Sequence, residues 1–160
     1  KIDLKAFTEK YYREIVAGEL KPVLDTLVLL KTLNIWTEIV YLVVPTLNDG
    51  EEELRNLSKW ISNNLGQDVP VHFTRYYPQY KLQNLPPTPV KTLERARDIA
   101  ISEGIQFVYV GNVPSHPGEH TYCPGCGTRL IERQGYWIKE NRLSEDKCPE
   151  CSQVIPGIWT

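Results

Sequence analysis

Apolar residues fall into two rhythms along this chain. Short continuous or alternating runs occur at 1–5, 36–45, 69–77 and 104–112, and between them lie stretches with apolar positions three and four apart. The first rhythm predicts strands and the second amphipathic helices. Helices are expected over 8–17, with Thr8 as N-cap and Gly18 as stop, and over 22–33, with a proline in its first turn. "TLNDGEEEL" at 46–54 reads as a turn, a cap and an acidic first turn ahead of a helix burying Leu54, Leu57, Ile61 and Leu65. A fourth helix is expected over 90–103, after the proline-rich "PPTP" at 86–89. "WTEIVYLVVP" at 36–45 has the β-branched, continuous character of a strand buried on both faces.

Strands alternating with helices of this length predict right-handed β-α-β crossovers and a parallel sheet. Four such strands make half a barrel or a small open sheet. The chain begins "KIDLKAF", already strand-like, and contains no Met. The expectation is therefore a fragment or split-gene product whose sheet a further segment continues. After residue 114 the pattern changes: 115–160 is turn-rich, lacks a long periodic helix and carries every cysteine. Two domains are expected, 1–114 and 115–160.

Composition narrows the function classes. With 24% charged residues and a net charge of −2, the chain has no clustered excess of Lys and Arg for nucleic acid or a membrane surface. Its longest apolar run, 39–44, is too short to span a bilayer. Four cysteines in two Cys-x-x-Cys pairs fit a metal in a reducing cytoplasm better than a disulfide framework.

Cys123 and Cys126 lie in "CPGC", Cys148 and Cys151 in "CPEC", with 21 residues between the pairs. Each pair offers two thiolates from a tight turn, as four-coordinate zinc requires; iron in a rubredoxin-like centre or an iron–sulfur cluster ranks behind zinc. A closed shell of four thiolates leaves no position for substrate, so the metal is expected to fold the segment rather than perform chemistry. His116 and His120 are not needed as ligands.

In parallel α/β folds ligands bind where strands end. Asp3 and Lys5 share a face of the first strand. Thr46, Asn48 and Asp49 follow the second, Arg75, Tyr76 and Tyr77 end the third, and "GNVP" at 111–114 ends the fourth. Each also has a plain structural reading: an ion pair, a helix cap, loop packing, a turn. His72 reads as a satisfied core residue.

The segments "IDLKAF" (2–7), "VLDTLVLLKTLNIWTEIVYLVVPTLNDGEEEL" (23–54), "HFTRYYPQYKL" (72–82), "PPTPVKTLERARDIAISEG" (86–104), "YVGNVPSHPGEHTYCPGCG" (109–127) and "ENRL…CPECSQVIPGIW" (140–159) resemble, in order, the C-terminal half of an AmmeMemoRadiSam-system radical SAM enzyme. That family is related to the activating enzymes of pyruvate formate-lyase, which are oxidoreductases. The resemblance implies a partial (β/α)6 barrel, here its last strands, followed by a zinc-ribbon-like module. It implies S-adenosylmethionine at the strands' carboxyl ends: Asp3 and Lys5 near the methionyl part, Arg75 and Tyr77 near ribose and carboxylate, and Val110, Asn112 and Val113 flanking adenine. The 4Fe-4S cluster of such enzymes is held by a Cys-x-x-x-Cys-x-x-Cys motif, which this chain lacks. The implied partners are the cluster-bearing N-terminal half and a protein or small-molecule substrate. Relatives commonly carry a histidine where this chain has Tyr77. The competing expectations are a zinc-ribbon module that binds another protein and a redox protein acting through its cysteine pairs.

Overall fold

The computed structural model describes residues 1–159. Strands β1 (Ile2–Asp3), β2 (Ile39–Val43), β3 (Val71–Arg75) and β4 (Val108–Gly111) form a parallel sheet in the order β1-β2-β3-β4. Strand β1 is shorter than its expected span, yet its pairing runs further: Ile2 N donates to Glu38 O and Leu4 N to Val40 O, each at 2.9 Å.

Helices α1 (Glu9–Tyr11), α2 (Leu20–Thr32), α3 (Glu51–Asn64) and α4 (Val90–Ser102) connect the strands. Thr8 caps α1 as expected, its hydroxyl accepting from Tyr11 N at 3.3 Å. The stretch expected to continue as an α-helix instead widens into a π-helical turn at Tyr12–Val16, ending on Ala17 in the left-handed region (φ 56°). The widening is accompanied by burial of Tyr12, whose hydroxyl accepts from Lys5 N at 3.2 Å. Three glutamates, Glu51, Glu52 and Glu53, occupy the first turn of α3, where the helix dipole favours them.

Period-two alternation divides the sheet. Ile39, Tyr41, Val43, Val71 and Phe73 turn to one face and are fully buried against Leu54, Leu57, Ile61, Leu93 and Ala96 of α3 and α4. Val40, His72, Thr74 and Tyr109 turn to the other and are only partly buried. Strand β2 is therefore buried on one face, not both. The continuous apolar run satisfied the expectation for a doubly covered strand, but no helix among the described residues covers its second face.

The remainder is a three-stranded antiparallel sheet of β5 (Thr121–Tyr122), β6 (Arg129–Gln134) and β7 (Trp137–Asn141). Its apolar centre is small: Leu130, Ile131, Cys123, Cys148 and Ile155 pack with Phe107, while Tyr109 of β4 lies against them. No helix among the described residues is long and apolar enough to cross a membrane.

Candidate binding groove and metal centre

The uncovered sheet face floors a groove of about 1330 Å³. Glu38, Val40, His72, Thr74, Tyr109 and Gly111 line it from the sheet, and Arg133, Tyr136, Ile138 and Trp159 from the cysteine-bearing segment. Gly111 suits its place because a Cβ there would lie 2.8 Å from the Thr74 methyl.

Three of the expected contact residues form one cluster at the carboxyl ends of β3 and β4. Arg75 Nη1 donates to Tyr77 Oη at 3.2 Å and its guanidinium carbon lies 4.9 Å from the Tyr77 ring centroid. Tyr77 Oη donates to Asn112 O at 3.2 Å, and Asn112 Nδ2 donates to Arg75 O at 3.1 Å. Asn112 holds φ 59°, a left-handed conformation that Asn tolerates better than most residues. Arg75 Nε is tied to Thr88 O at 2.8 Å, which fixes the head group. Among the described residues no carboxylate lies within ion-pair distance of Arg75, and Arg75 itself is not one of the residues lining the groove.

Tyr77, Val110, Asn112 and Val113 line the groove, and Val110 and Val113 also pack against the helix-side core. Asp3 and Lys5 do not line it. Their side chains pair with each other at 3.0 Å and remain solvent-accessible, an exposed ion pair at the end of β1.

Behind that strand end lies a buried network around Asn48, a residue expected either as a polar group at the end of the second strand or as part of a helix start. Asn48 is 1% exposed. Its Oδ1 accepts from Val44 N at 2.6 Å, and Nδ2 donates to Lys5 O and Leu42 O, both at 2.9 Å. Glu53 Oε1 accepts from Phe7 N at 2.6 Å and from Tyr41 Oη at 3.0 Å. Burial and the neighbouring Glu53 carboxylate hold the Tyr41 phenol well above its ordinary range.

Sequence reading also missed a polar group on the groove floor. His72 Nε2 lies 2.9 Å from Glu38 Oε2, and the His72 ring stacks on Tyr109 with centroids 4.9 Å apart. Tyr109 Oη shares a 2.9 Å hydrogen bond with Thr121 Oγ1, to which Arg133 Nη1 donates at 2.7 Å. The hydrogen bond from His72 is the leading cause that holds the Glu38 carboxyl below its ordinary value. His72 is satisfied, as expected, but on the groove floor and not in the core. Only the strand register brings positions 38, 72 and 109 together.

The four cysteine sulfurs lie within 4.8 Å of one another. Two pairs are 3.5 Å (Cys123–Cys151) and 3.7 Å (Cys126–Cys148) apart. A tetrahedron with zinc–sulfur bonds of 2.3 Å has edges of about 3.8 Å, so the donor set fits one ion. The two turns match: Cys123 N donates to Thr128 O and Cys148 N to Gln153 O, with Gly127 (φ 74°) and Ser152 (φ 62°) in corresponding left-handed positions. Hydrogen bonds to the Thr128 hydroxyl and backbone lower the exposed Cys126 thiol to about 6. The Gln153 backbone amide pulls Cys151 down, but Cys123 and the other neighbouring thiols outweigh it and push Cys151 up to about 12. His116 and His120 are engaged elsewhere, with Glu94 and with Arg133 N.

No family model matches the chain. Over 156 residues it is 44% identical to an uncharacterized protein of Methanocaldococcus jannaschii; the alignment covers 96% of this chain and 46% of that relative. The chain thus spans less than half the length of the curated relative it matches. Among solved structures it is similar to a domain of pyruvate-formate lyase-activating enzyme from Bacteroides vulgatus, with a TM-score of 0.61 at 11% identity, covering 69% of this chain and 65% of that one. At that identity the likeness is one of fold: the helix-backed parallel sheet of this chain is built like that activating-enzyme domain.

Proposed function

We propose that this chain is the C-terminal portion of a radical SAM enzyme of the activating-enzyme type, and that its groove helps bind S-adenosylmethionine. The observation that carries the reading is the bare sheet face, with the Arg75–Tyr77–Asn112 cluster where its strands end. The fold likeness to an activating-enzyme domain supports it, as does a relative more than twice as long as the matched segment.

Arg75 lies outside the groove lining, behind Tyr77; its fixed head group and lack of an acidic partner among the described residues would suit a ligand carboxylate that reaches past Tyr77. Tyr77 and Asn112 hold each other in place and present polar edges to a ribose or purine. Gly111 keeps the strand end clear of bulk beside Thr74. Asp3 and Lys5 sit beyond the groove lining; their part in cofactor binding rests on the family resemblance alone. With a 4Fe-4S cluster supplied by another half, a cofactor held beside Tyr77 and Asn112 would supply radical hydrogen-abstraction chemistry. The cysteine segment is proposed to hold zinc as a structural ion.

Calorimetry tests the reading. Little binding of S-adenosylmethionine is expected for the isolated chain, and clear binding once the cluster-bearing half is supplied. Equal affinity with and without that half would overturn it.

A second reading, a zinc-ribbon module that docks on another protein, is favoured by one feature. All five residues of β7 are exposed, and Tyr136, Trp137 and Ile138 at the hairpin present apolar surface. Loss of a partner's binding on Trp137→Ala, with metal content unchanged, would favour it.

A further inference from the structure

We infer that His72, oriented by Glu38, is a separate proton-accepting subsite on the groove floor, where Nδ1 takes a hydrogen bond or a proton from an N–H or O–H group of the molecule in the groove. This does not rest on the cofactor reading. His72 is the second residue of β3 and Arg75 the last, so the two lie about 10 Å apart along the strand.

Tautomer and access carry the inference. Nε2 lies 2.9 Å from a Glu38 oxygen. This contact is the first cause holding the Glu38 carboxyl below its ordinary value, and a carboxylate can only accept, so the imidazole proton resides on Nε2. The lone pair is then on Nδ1. Among the described residues Nδ1 makes no hydrogen bond, and no buried polar side-chain atom lacks a partner, so solvent reaches Nδ1. Both His72 and Glu38 line the groove.

The ring is also held still. It stacks on Tyr109 at an interplanar angle of 20°, and Tyr109 is fixed through Thr121 and has Arg133 5.5 Å from its ring centroid. The charged groups lining the groove are Glu38, Lys1, whose Nζ lies 3.8 Å from Glu38, Arg133, and Glu119, whose carboxylate accepts from Gly135 N. A carboxylate-oriented imidazole with an open nitrogen has the arrangement that proton acceptors use. When a proton moves from the ligand's X–H to Nδ1, the bonding pair stays on X and the imidazolium is neutralised by Glu38.

His116 supplies an internal control, because its Nδ1 accepts from Gly118 N at 2.9 Å and its Nε2 faces Glu94 at 3.2 Å. On the full chain at pH 8, diethyl pyrocarbonate should modify His72 about tenfold faster than His116, the factor that one hydrogen bond to the attacked nitrogen confers. Nitrogen-15 spectra of labelled protein should show His72 as the Nε2–H tautomer, and Glu38→Ala should mix the two tautomers. A His72 rate no greater than that of His116, or an Nδ1–H tautomer in the unaltered protein, overturns the assignment.

Discussion

The side-chain amide of Asn48 donates to the carbonyl of Lys5 at 2.9 Å, joining positions 43 residues apart. The same amide holds Leu42 O, and its oxygen holds Val44 N, so one buried residue fixes the ends of β1 and β2 together. Asn48→Ala leaves these backbone groups buried without partners and is expected to cost about 2–4 kcal/mol. Chemical denaturation measures the loss. A change below about 0.5 kcal/mol would show that the network contributes little.

Removing one sulfur should empty the metal centre. Cys148 is buried and its amide closes the second turn, so Cys148→Ser is expected to lower bound metal well below one ion per chain. Elemental analysis reads this directly, and retention of one ion per chain would refute the four-thiolate site. A colourless purified protein is expected for zinc; visible absorption would indicate iron.

Acid should weaken the groove floor through Glu38. Its folded value lies below the ordinary 4.5 because His72 favours the ionised form. The stability it contributes is therefore present above the unfolded value and lost as pH falls through the lower, folded value. Glu38→Gln is expected to lower stability at neutral pH and to flatten its decline in the acid window, below about 4.5, where Glu38 no longer contributes. Thermal denaturation across pH tests this, and identical acid limbs in the two proteins would contradict it.

Tyr77 links Arg75 to the backbone of Asn112. Tyr77→Phe removes both hydrogen bonds at an exposed site, so stability should change little. Affinity for S-adenosylmethionine, measured with the cluster-bearing half present, is expected to fall several-fold, as loss of one oriented contact implies. Unchanged affinity would remove Tyr77 from the site.

The helix-backed parallel sheet was legible because period-two and period-three-to-four patterns report burial directly. Ile39, Tyr41 and Val43 alternate inward, and Leu54, Leu57 and Ile61 follow helical spacing. The cysteine cluster was legible from spacing alone. What could not be read depends on register and tertiary packing. Nothing local marks Glu38, His72 and Tyr109 as neighbours until β2, β3 and β4 are aligned. Asn48 stood in a stretch whose local chemistry suits a turn or cap, and only its burial reveals a wider role. The π-helical turn at Tyr12–Val16 has no simple sequence signature, and the run 36–45 could not disclose that one of its faces stays bare.

Phe107, which directly precedes β4, and Tyr109 within it pack with Cys123, Cys148 and Leu130. The four-cysteine cluster and the floor of the groove consequently share side chains. Chelation should be felt as a loosening beneath whatever molecule sits above Tyr109, which would make metal supply a control on occupancy of the cleft.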